Sequence, residues 1–210
     1  MRTQLMCKRL AIIMSLGAIV PSVSYAQNNM QTFAQGLSGS ASLAFVANDA
    51  GDDSDLDASL RFSGALEKQM APNFSIFVGL SQTSDTEETG EDNTGEYTLT
   101  LSSSDLFAGA RLTFNPEDAL QFYGRGGFLY YYSEIELEES FFGLKEAGKI
   151  DEVEEGTGYF FGGGLSFKLN PQMMLDAEVT YLVRQEYFED SARPFDLEEV
   201  GALVGVRMKF

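Results

Sequence analysis

Apolar and polar residues alternate one by one along most of the chain after position 36, and a period of two predicts β-strands. No stretch in this part of the chain reaches the length of a membrane-spanning helix. The alternating runs number eight and cover residues 37–45, 56–67, 74–81, 105–114, 120–130, 158–169, 175–184 and 199–210. The pattern therefore predicts an all-β chain.

One further stretch alternates on the opposite parity. Tyr97, Leu99 and Leu101 occupy odd positions, whereas the apolar residues of the run that follows, from Leu106, occupy even positions. A β-bulge within Ser102-Ser103-Ser104 would reconcile the two. We therefore expect one long fourth strand that extends beyond a bilayer.

The connections between runs alternate in length. Short turns rich in Pro and Asn fall at 69–73, 115–118 and 170–172, where these residues favour tight backbone turns. Longer polar connections fall near 48–55, 85–96, 134–157 and 186–198. Long and short connections in alternation, with both termini on the short side, are typical of bacterial outer-membrane barrels. The predicted fold is an eight-stranded antiparallel up-and-down transmembrane β-barrel over residues 37–210.

Charge placement distinguishes a membrane barrel from a soluble one, because a membrane barrel is apolar outside and polar inside. One face of all eight runs carries no charge, and the other mixes both signs with Ser, Thr and Gly. Aromatic residues also gather near the strand ends, as in the two girdles of membrane barrels. Those by the short turns are Phe74, Phe114, Phe122, Phe167 and Phe210, and those by the long connections are Tyr130, Tyr159 and Tyr181.

The N-terminal segment has the pattern of a secretory signal. Arg2, Lys8 and Arg9 precede an apolar core at 10–20, and Ala26 ends a small-residue cleavage site. A membrane helix is the alternative, but 11 apolar residues are far fewer than the roughly 20 that span a bilayer. We expect 1–26 to be a cleaved signal peptide and 27–36 a short periplasmic lead-in. The single Cys lies within the signal, so no disulfide is expected in the exported chain.

The composition narrows the function. The 210 residues contain 14 Lys+Arg and 32 Asp+Glu, a net charge of −18, and no His. An acidic chain is unsuited to nucleic acid, which needs phosphate neutralisation. Without His the usual general base and the commonest metal ligand are missing. We therefore predict neither enzymatic activity nor a cofactor.

The inner face carries most of the few basic residues together with acids. Because isolated charges are costly in a narrow lumen, we expect a salt-bridge network that plugs it. A catalytic or conducting constellation is the alternative interpretation. The predicted network comprises Asp57, Arg61, Glu67, Asp105, Arg111, Arg125, Lys168, Asp176, Glu178, Arg184, Glu199 and Arg207.

Most of the acids fall in the four long connections. Asp49, Asp52, Asp53 and Asp55 form a candidate site for Ca²⁺ or Mg²⁺, which prefer carboxylate oxygens. Their spacing does not match an EF-hand. The alternative is a solvated acidic surface that keeps the protein soluble and unreactive.

The last eight residues resemble the C-terminal sorting signal of outer-membrane barrels. Gly205, Met208 and the terminal Phe210 match its pattern, whereas Leu203 stands where a polar residue is usual. With the signal peptide and eight strands, the chain resembles the small outer-membrane β-barrel family typified by outer-membrane proteins A and X. The resemblance implies insertion by the barrel assembly machinery, contact with outer-membrane lipid and lipopolysaccharide, extracellular long loops and a monomeric state.

Members of that family include structural proteins, adhesins, small pores and a few lipid A-modifying enzymes, so fold alone does not decide function. The enzymes of the family require a His, which this chain lacks. We predict an outer-membrane protein with a structural or surface-interaction role and a plugged lumen. A narrow cation-preferring pore or small-molecule channel is the alternative. Pairing of inner acids and bases at the same depth distinguishes the two.

Overall fold

A computed structural model describes residues 36–49, 58–91, 95–141, 147–187 and 195–210. They form eight strands: β1 (Leu37–Asp49), β2 (Ser59–Ala71), β3 (Phe74–Glu91), β4 (Gly95–Phe114), β5 (Leu120–Phe141), β6 (Ala147–Asn170), β7 (Met173–Tyr187) and β8 (Phe195–Lys209). Each strand pairs with its sequence neighbours, and β1 pairs antiparallel with β8, which closes the barrel. The predicted fold class is confirmed. The predicted signal peptide lies outside the described residues.

Across the described ranges, the structure contains no helix with the length and hydrophobicity needed to span a bilayer.

The two faces of the barrel wall have opposite chemistry. Phe45 and Phe128 on the outer face are 67% and 78% exposed, and apolar side chains continue around the whole circumference. Arg184 and Asp105 on the inner face are buried at 0% and 3% exposure. A soluble protein rarely exposes so large an apolar surface, whereas lipid requires one. The predicted inversion of apolar and charged faces is confirmed.

Aromatic residues fill the middle of the lumen. The rings of Phe77, Phe107 and Phe160 contact one another, with centroids 5.9–6.2 Å apart. A glycine stands opposite each aromatic on the next strand; for example Gly109 pairs with Phe77 and Gly79 with Phe107. A Cβ atom on Gly79 would lie 2.7 Å from Cε2 of Phe107. The inner glycines therefore provide the space that the rings occupy.

The short turns confirm the sequence prediction. Strands β2 and β3 are separated by two residues, and so are β6 and β7. Between β4 and β5, Asn115 adopts φ 52°, a left-handed conformation that Asn tolerates well. The Asn170 side chain accepts a hydrogen bond of 2.9 Å from the Gln172 amide. These three turns define one end of the barrel.

Two of the predicted long loops are wrong. The predicted connections 85–96 and 134–157 consist largely of strand, because β3 and β4 meet at Glu91 and Gly95 and β5 and β6 meet at Phe141 and Ala147. Acidic residues have low β propensity, which favoured loops at these positions, although Ile135 and Leu137 alternate with glutamates. The antiparallel ladder nevertheless continues, because it pairs backbone groups whatever the side chains are.

The predicted bulge within Ser102-Ser103-Ser104 is also wrong. The register of β4 with β5 continues unbroken through these serines, and Leu101 packs against the inner hydrophobic cluster. The irregularity lies on the neighbouring strand, between Thr83 and Thr86 of β3. The apolar residues at odd positions of β4 therefore continue the inner face of the barrel. This part of β4 lies above the membrane, where the outer face does not contact lipid and need not be apolar.

Candidate functional site in the barrel lumen

Five arginines and five carboxylates project into the lumen from five of the eight strands. They are Arg61, Arg111, Arg125, Arg184, Arg207, Glu67, Asp105, Asp176, Glu178 and Glu199. They form three groups at successive depths, which we call the lower, middle and upper groups from the short-turn end.

The lower group joins two arginines to two carboxylates. Arg111 Nη1 lies 3.4 Å from Asp176 Oδ2 and 3.9 Å from Glu67 Oε2. Arg207 Nη1 lies 3.3 Å from Glu67 Oε1, and its Nε lies 3.3 Å from Asp176 Oδ2. The hydroxyl of Ser166 accepts hydrogen bonds from both arginines, at 2.6 and 3.1 Å, and donates one to Asp176. Each charge therefore has an opposite charge beside it.

The middle group has one arginine and one carboxylate. Arg125 Nε donates to Glu178 Oε1 at 2.6 Å. The same carboxylate accepts hydrogen bonds from Tyr123 at 2.8 Å and Thr180 at 2.7 Å. The Arg111 guanidinium lies over the Tyr123 ring, 3.4 Å from its centroid, and joins the middle group to the lower one through a cation–π contact.

The upper group again has two arginines and two carboxylates. Arg184 Nη2 donates to the two oxygens of Asp105 at 2.9 and 3.1 Å and to Ser103 Oγ at 2.7 Å. Arg184 Nη1 and Arg61 Nη2 each contact a different oxygen of Glu199. Arg184 Nε also donates to Asp105 Oδ1, at 3.2 Å, so two nitrogens of the planar guanidinium bind one carboxylate in the bidentate geometry that suits it.

Two of the ion pairs connect strands on opposite sides of the barrel. Arg111 of β4 reaches Asp176 of β7, and Arg184 of β7 reaches Asp105 of β4. Both pairs therefore cross the lumen, one in the lower group and one in the upper group. Each of the three groups contains equal numbers of positive and negative side chains, so the charges compensate at the same depth.

Two small cavities remain beside these groups. One, of about 30 Å³, lies between the lower and middle groups and includes Ser40, Ser42 and Glu67 in its wall. The other, of about 40 Å³, lies towards the upper group and includes Ser63 and Ser81. Both have Arg125 in their walls. Each has room for about two water molecules, since one needs about 10–15 Å³ of such volume.

Ten of the twelve residues predicted for the network lie in these groups. Lys168 does not, because its Nζ donates to the carbonyl oxygens of Pro116 and Glu117 at 3.1 and 2.9 Å, in the β4–β5 turn. Asp57 lies outside the described residues. Sequence reasoning missed the hydroxyl partners Ser166 and Tyr123. Both residues lie on the inner face, one strand away from a predicted charge, and this position could have identified them as hydrogen-bond partners.

The other predicted sites lie at the two ends of the barrel. Asp49 ends β1, and the rest of the candidate cation loop lies outside the described residues. Within the described part of the chain, no group of three or more His, Cys, Asp or Glu residues is arranged to hold a metal ion. At the other end, Gly205 is buried against Ser42, and Met208 is half exposed on the outer face. The Phe210 ring covers Gly39, where a Cβ atom would lie 3.3 Å from Cζ.

Comparison with known proteins agrees with this architecture. Residues 13–210 match the family model described as outer membrane protein beta-barrel domain. Curated protein sequences give no significant match.

Three solved structures share the fold. Neisserial surface protein A is 14% identical with a TM-score of 0.57, and the match covers 83% of this chain and 97% of that one. OprG from Pseudomonas aeruginosa is 11% identical with a TM-score of 0.55, covering 83% and 95%. The attachment invasion locus protein Ail of Yersinia pestis is 16% identical with a TM-score of 0.50, covering 83% and 99%. At these identities the similarity concerns the fold alone.

Proposed function

The chain belongs to the outer membrane protein beta-barrel domain family, and from this membership we propose that it is a closed barrel with a structural or surface-interaction role. In this proposal residues 1–26 direct export and are removed. The short turns face the periplasm and the long connections face the cell exterior. Gly205, Met208 and Phe210 serve recognition by the barrel assembly machinery.

The main support for a closed barrel is the compensation of charge within each lumen group. A conducting pore needs charges that face a continuous water path, which keeps them hydrated. Here each charged group of the three lumen groups lies within 4 Å of a protein group of opposite charge, and Arg184 and Asp105 are almost completely buried. Opening a path through the upper group would separate these partners in a narrow, poorly hydrated space, at a cost of several kcal/mol per ion.

The ion pairs also account for a structural role. Because Arg184–Asp105 and Arg111–Asp176 connect β7 with β4 across the lumen, they brace opposite walls of the barrel. The aromatic layer of Phe77, Phe107 and Phe160 fills the space between. A braced and filled barrel is a stable support for the parts of the chain that extend beyond the bilayer.

Single-channel recording tests the closed lumen. Protein purified from the membranes of cells that express the full chain is inserted into planar bilayers, with and without Ca²⁺. We expect no discrete openings, while a general porin in the same bilayers conducts. The folded state is checked on the same sample by its electrophoretic shift on heating. Steady openings from folded protein would refute the closed barrel and favour the narrow cation-preferring pore.

The two cavities are the observation that favours the pore as a second candidate. Arg125 lies in the walls of both, so a shorter side chain at this position would join them. Under the closed-barrel proposal an Arg125→Ser variant remains silent, because the lower and upper groups still block the lumen. Under the pore proposal its conductance rises above that of the unchanged protein.

Enzymatic activity and a cofactor form no part of the proposed function. The acidic long connections are proposed to meet the anionic groups of lipopolysaccharide through bridging Ca²⁺ or Mg²⁺ ions, which prefer carboxylate oxygens. Ion binding at Asp49 and the three aspartates after it remains a separate prediction, tested by Ca²⁺ titration of the folded protein against a variant with all four changed to Asn.

A further inference from the structure

Three inner-face serines stand side by side on consecutive strands, and their row ends at a carboxylate. Ser42 of β1 is directly opposite Ser63 of β2 in the register, and Ser63 is directly opposite Ser81 of β3. Ser81 is in turn opposite Asp105 of β4. Side chains that are directly opposite have Cβ atoms about 4.5–5.5 Å apart, so the row is continuous. We call Ser42, Ser63 and Ser81 the serine row.

The serine row changes depth as it crosses the strands. Strands of a membrane barrel tilt by about 35–45°, so a row that runs straight across them also rises along the barrel. Ser42 lies five residues above Leu37, the lower end of β1, whereas Asp105 lies nine residues above Phe114, the lower end of β4. The row therefore leads upward to Asp105 in the upper group.

Hydrogen bonds and the two small cavities connect the members of the serine row. Ser42 Oγ and Ser63 Oγ are 2.6 Å apart, and either can donate to the other. Ser42 lines the cavity between the lower and middle groups, the lower cavity, and Ser63 and Ser81 both line the other, the upper cavity. Ser81 Oγ donates to Asp105 Oδ2 at 2.8 Å. A water molecule in the upper cavity completes the chain from Ser63 to Ser81, since such a site suits a bridging water.

The lower end of the row lies beside carboxylates that solvent reaches. Glu67 and Asp176 of the lower group are in the wall of the lower cavity, and their side chains are 11% and 9% exposed. The Asp105 side chain at the other end of the row is 1% exposed. The lower cavity is therefore the point where the row meets the water at the short-turn end.

Above Asp105 the path reaches a hydroxyl that nothing else in the structure explains. Ser103 Oγ donates to Asp105 Oδ1 at 3.4 Å, and Ser133 of β5 stands directly opposite Ser103. Ser133 is 0% exposed, and its Oγ has no hydrogen-bond partner among the described residues. Burial of an unpaired hydroxyl is costly. Glu154 of β6 stands opposite Ser133 and is partly exposed, so it connects this hydroxyl with the water above the lumen groups.

A chain of hydroxyls and water molecules can pass a proton where no ion fits. A hydroxyl has one donor hydrogen and two acceptor lone pairs. Each oxygen therefore gains a proton from one neighbour while it gives its own to the next, so one O–H bond forms as another breaks. Nothing is consumed, and rotation of the hydroxyls and waters restores the first arrangement.

Asp105 is the turning point of this transfer, because Ser81 and Ser103 both donate to it. The carboxylate takes a proton from Ser81 and becomes a neutral acid. It then gives a proton to Ser103, whose own hydrogen turns towards Ser133. Arg184 Nη2, 2.9 Å from Asp105 Oδ1, favours return of the carboxylate to its charged form, so the proton moves on.

We propose that the barrel conducts protons, and no larger ion, along the serine row, Asp105, Ser103 and Ser133, with water in the two cavities completing the chain. Polar relays of this kind carry protons through other membrane proteins. The inference goes beyond the closed barrel, because the ion pairs that block a hydrated ion leave the hydroxyl chain intact.

A proton-flux assay on liposomes that contain the full protein tests the proposal. A pH-sensitive dye inside the liposomes reports the response to a pH step outside, with K⁺ and valinomycin present to balance charge. We expect the internal pH to follow at least about fivefold faster than in protein-free liposomes. Planar bilayers with the same protein should show no K⁺ current, and the heat-dependent electrophoretic shift confirms that the protein is folded.

A matched pair of variants tests the hydroxyl of Ser63. Ser63→Val and Ser63→Thr add the same bulk beside the upper cavity, but only Thr keeps the hydroxyl. Ser63→Val should reduce the protein-dependent proton flux about fivefold or more, and Ser63→Thr should restore most of it.

Ser133→Ala separates the relay from a structural role. Because the Ser133 hydroxyl makes no hydrogen bond in the structure, its removal should leave the urea midpoint of unfolding unchanged while the proton flux falls. Ser38→Ala is the control. Ser38 is also buried on the inner face, but it lies outside both cavity walls, so its removal should leave the flux unchanged.

Either of two flux results overturns the proposal. They are a flux equal to that of protein-free liposomes, and a flux that Ser63→Val and Ser133→Ala leave unchanged. Both leave the closed barrel standing. A K⁺ current that accompanies the proton flux overturns the relay as well, because an open water path needs no hydroxyl chain, and it refutes the closed barrel at the same time.

Discussion

Replacing Arg184 with Met should be among the most damaging single changes in the barrel. The Arg184 side chain is 0% exposed, and its partners Asp105 and Glu199 are 1% and 3% exposed. The substitution leaves two buried carboxylates in the upper group with only Arg61 as a counter-charge. Removing one partner from a buried ion pair costs about 3–5 kcal/mol. We expect a loss of that size in the free energy of unfolding.

The contacts that remain in the Arg184→Met variant limit the loss in the free energy of unfolding. Asp105 keeps its hydrogen bond from Ser81 at 2.8 Å, and Glu199 keeps Arg61, so neither carboxylate loses all support. Arg184→Lys retains the charge, but one ammonium group cannot serve both carboxylates as the guanidinium does. Its cost should be smaller, about 1–2 kcal/mol, because most of the charge compensation is kept.

A double-mutant cycle separates the coupling energy between Arg184 and Asp105 from the other effects of the substitution on stability. In an Asp105→Asn background the upper group has one carboxylate fewer, so Arg184→Met should cost less there, with a coupling energy of about 1–3 kcal/mol. Unfolding is followed in urea with the protein in lipid vesicles. The chain has no Trp, so the folded fraction is read from far-ultraviolet circular dichroism and from the heat-dependent shift in electrophoresis. A loss below about 1 kcal/mol, or zero coupling, would refute the reasoning.

Three further changes test the packing, a turn and the C-terminus. Gly79→Ala should destabilise the barrel by about 1–3 kcal/mol, because the new Cβ would lie 2.5 Å from the Gly64 carbonyl oxygen. The control Gly124→Ala should be neutral, because its nearest contact is at 3.9 Å. Equal unfolding midpoints of the two variants would contradict this reasoning. Lys168→Met removes two hydrogen bonds to turn carbonyls and should cost about 1 kcal/mol in the same urea assay, unless the turn is stable without them. Phe210→Ala should lower the amount of folded protein in the outer membrane, measured by fractionation, more than it lowers stability after refolding in detergent; the opposite ranking would contradict a role in assembly.

The sequence alone determined the architecture. Two-residue alternation requires strands. The mixed charges opposite a charge-free face, together with aromatic residues at the strand ends, favoured a barrel that is apolar outside and polar inside. The alternation of short and long connections then requires up-and-down order. These features depend on local periodicity, which each segment carries within itself.

Only the tertiary structure decided which charges meet. The partners Arg184 and Asp105 are 79 positions apart, and their meeting depends on the tilt and stagger of strands in a closed barrel, which no local pattern encodes. Lys168 is a second example. Its place on the inner face was predicted correctly, but its long side chain donates to a carbonyl oxygen in the β4–β5 turn. The extension of β5 and β6 beyond the membrane was hidden for a different reason. There the ladder is maintained by backbone hydrogen bonds between partner strands, whereas the many acidic residues favoured the prediction of loops.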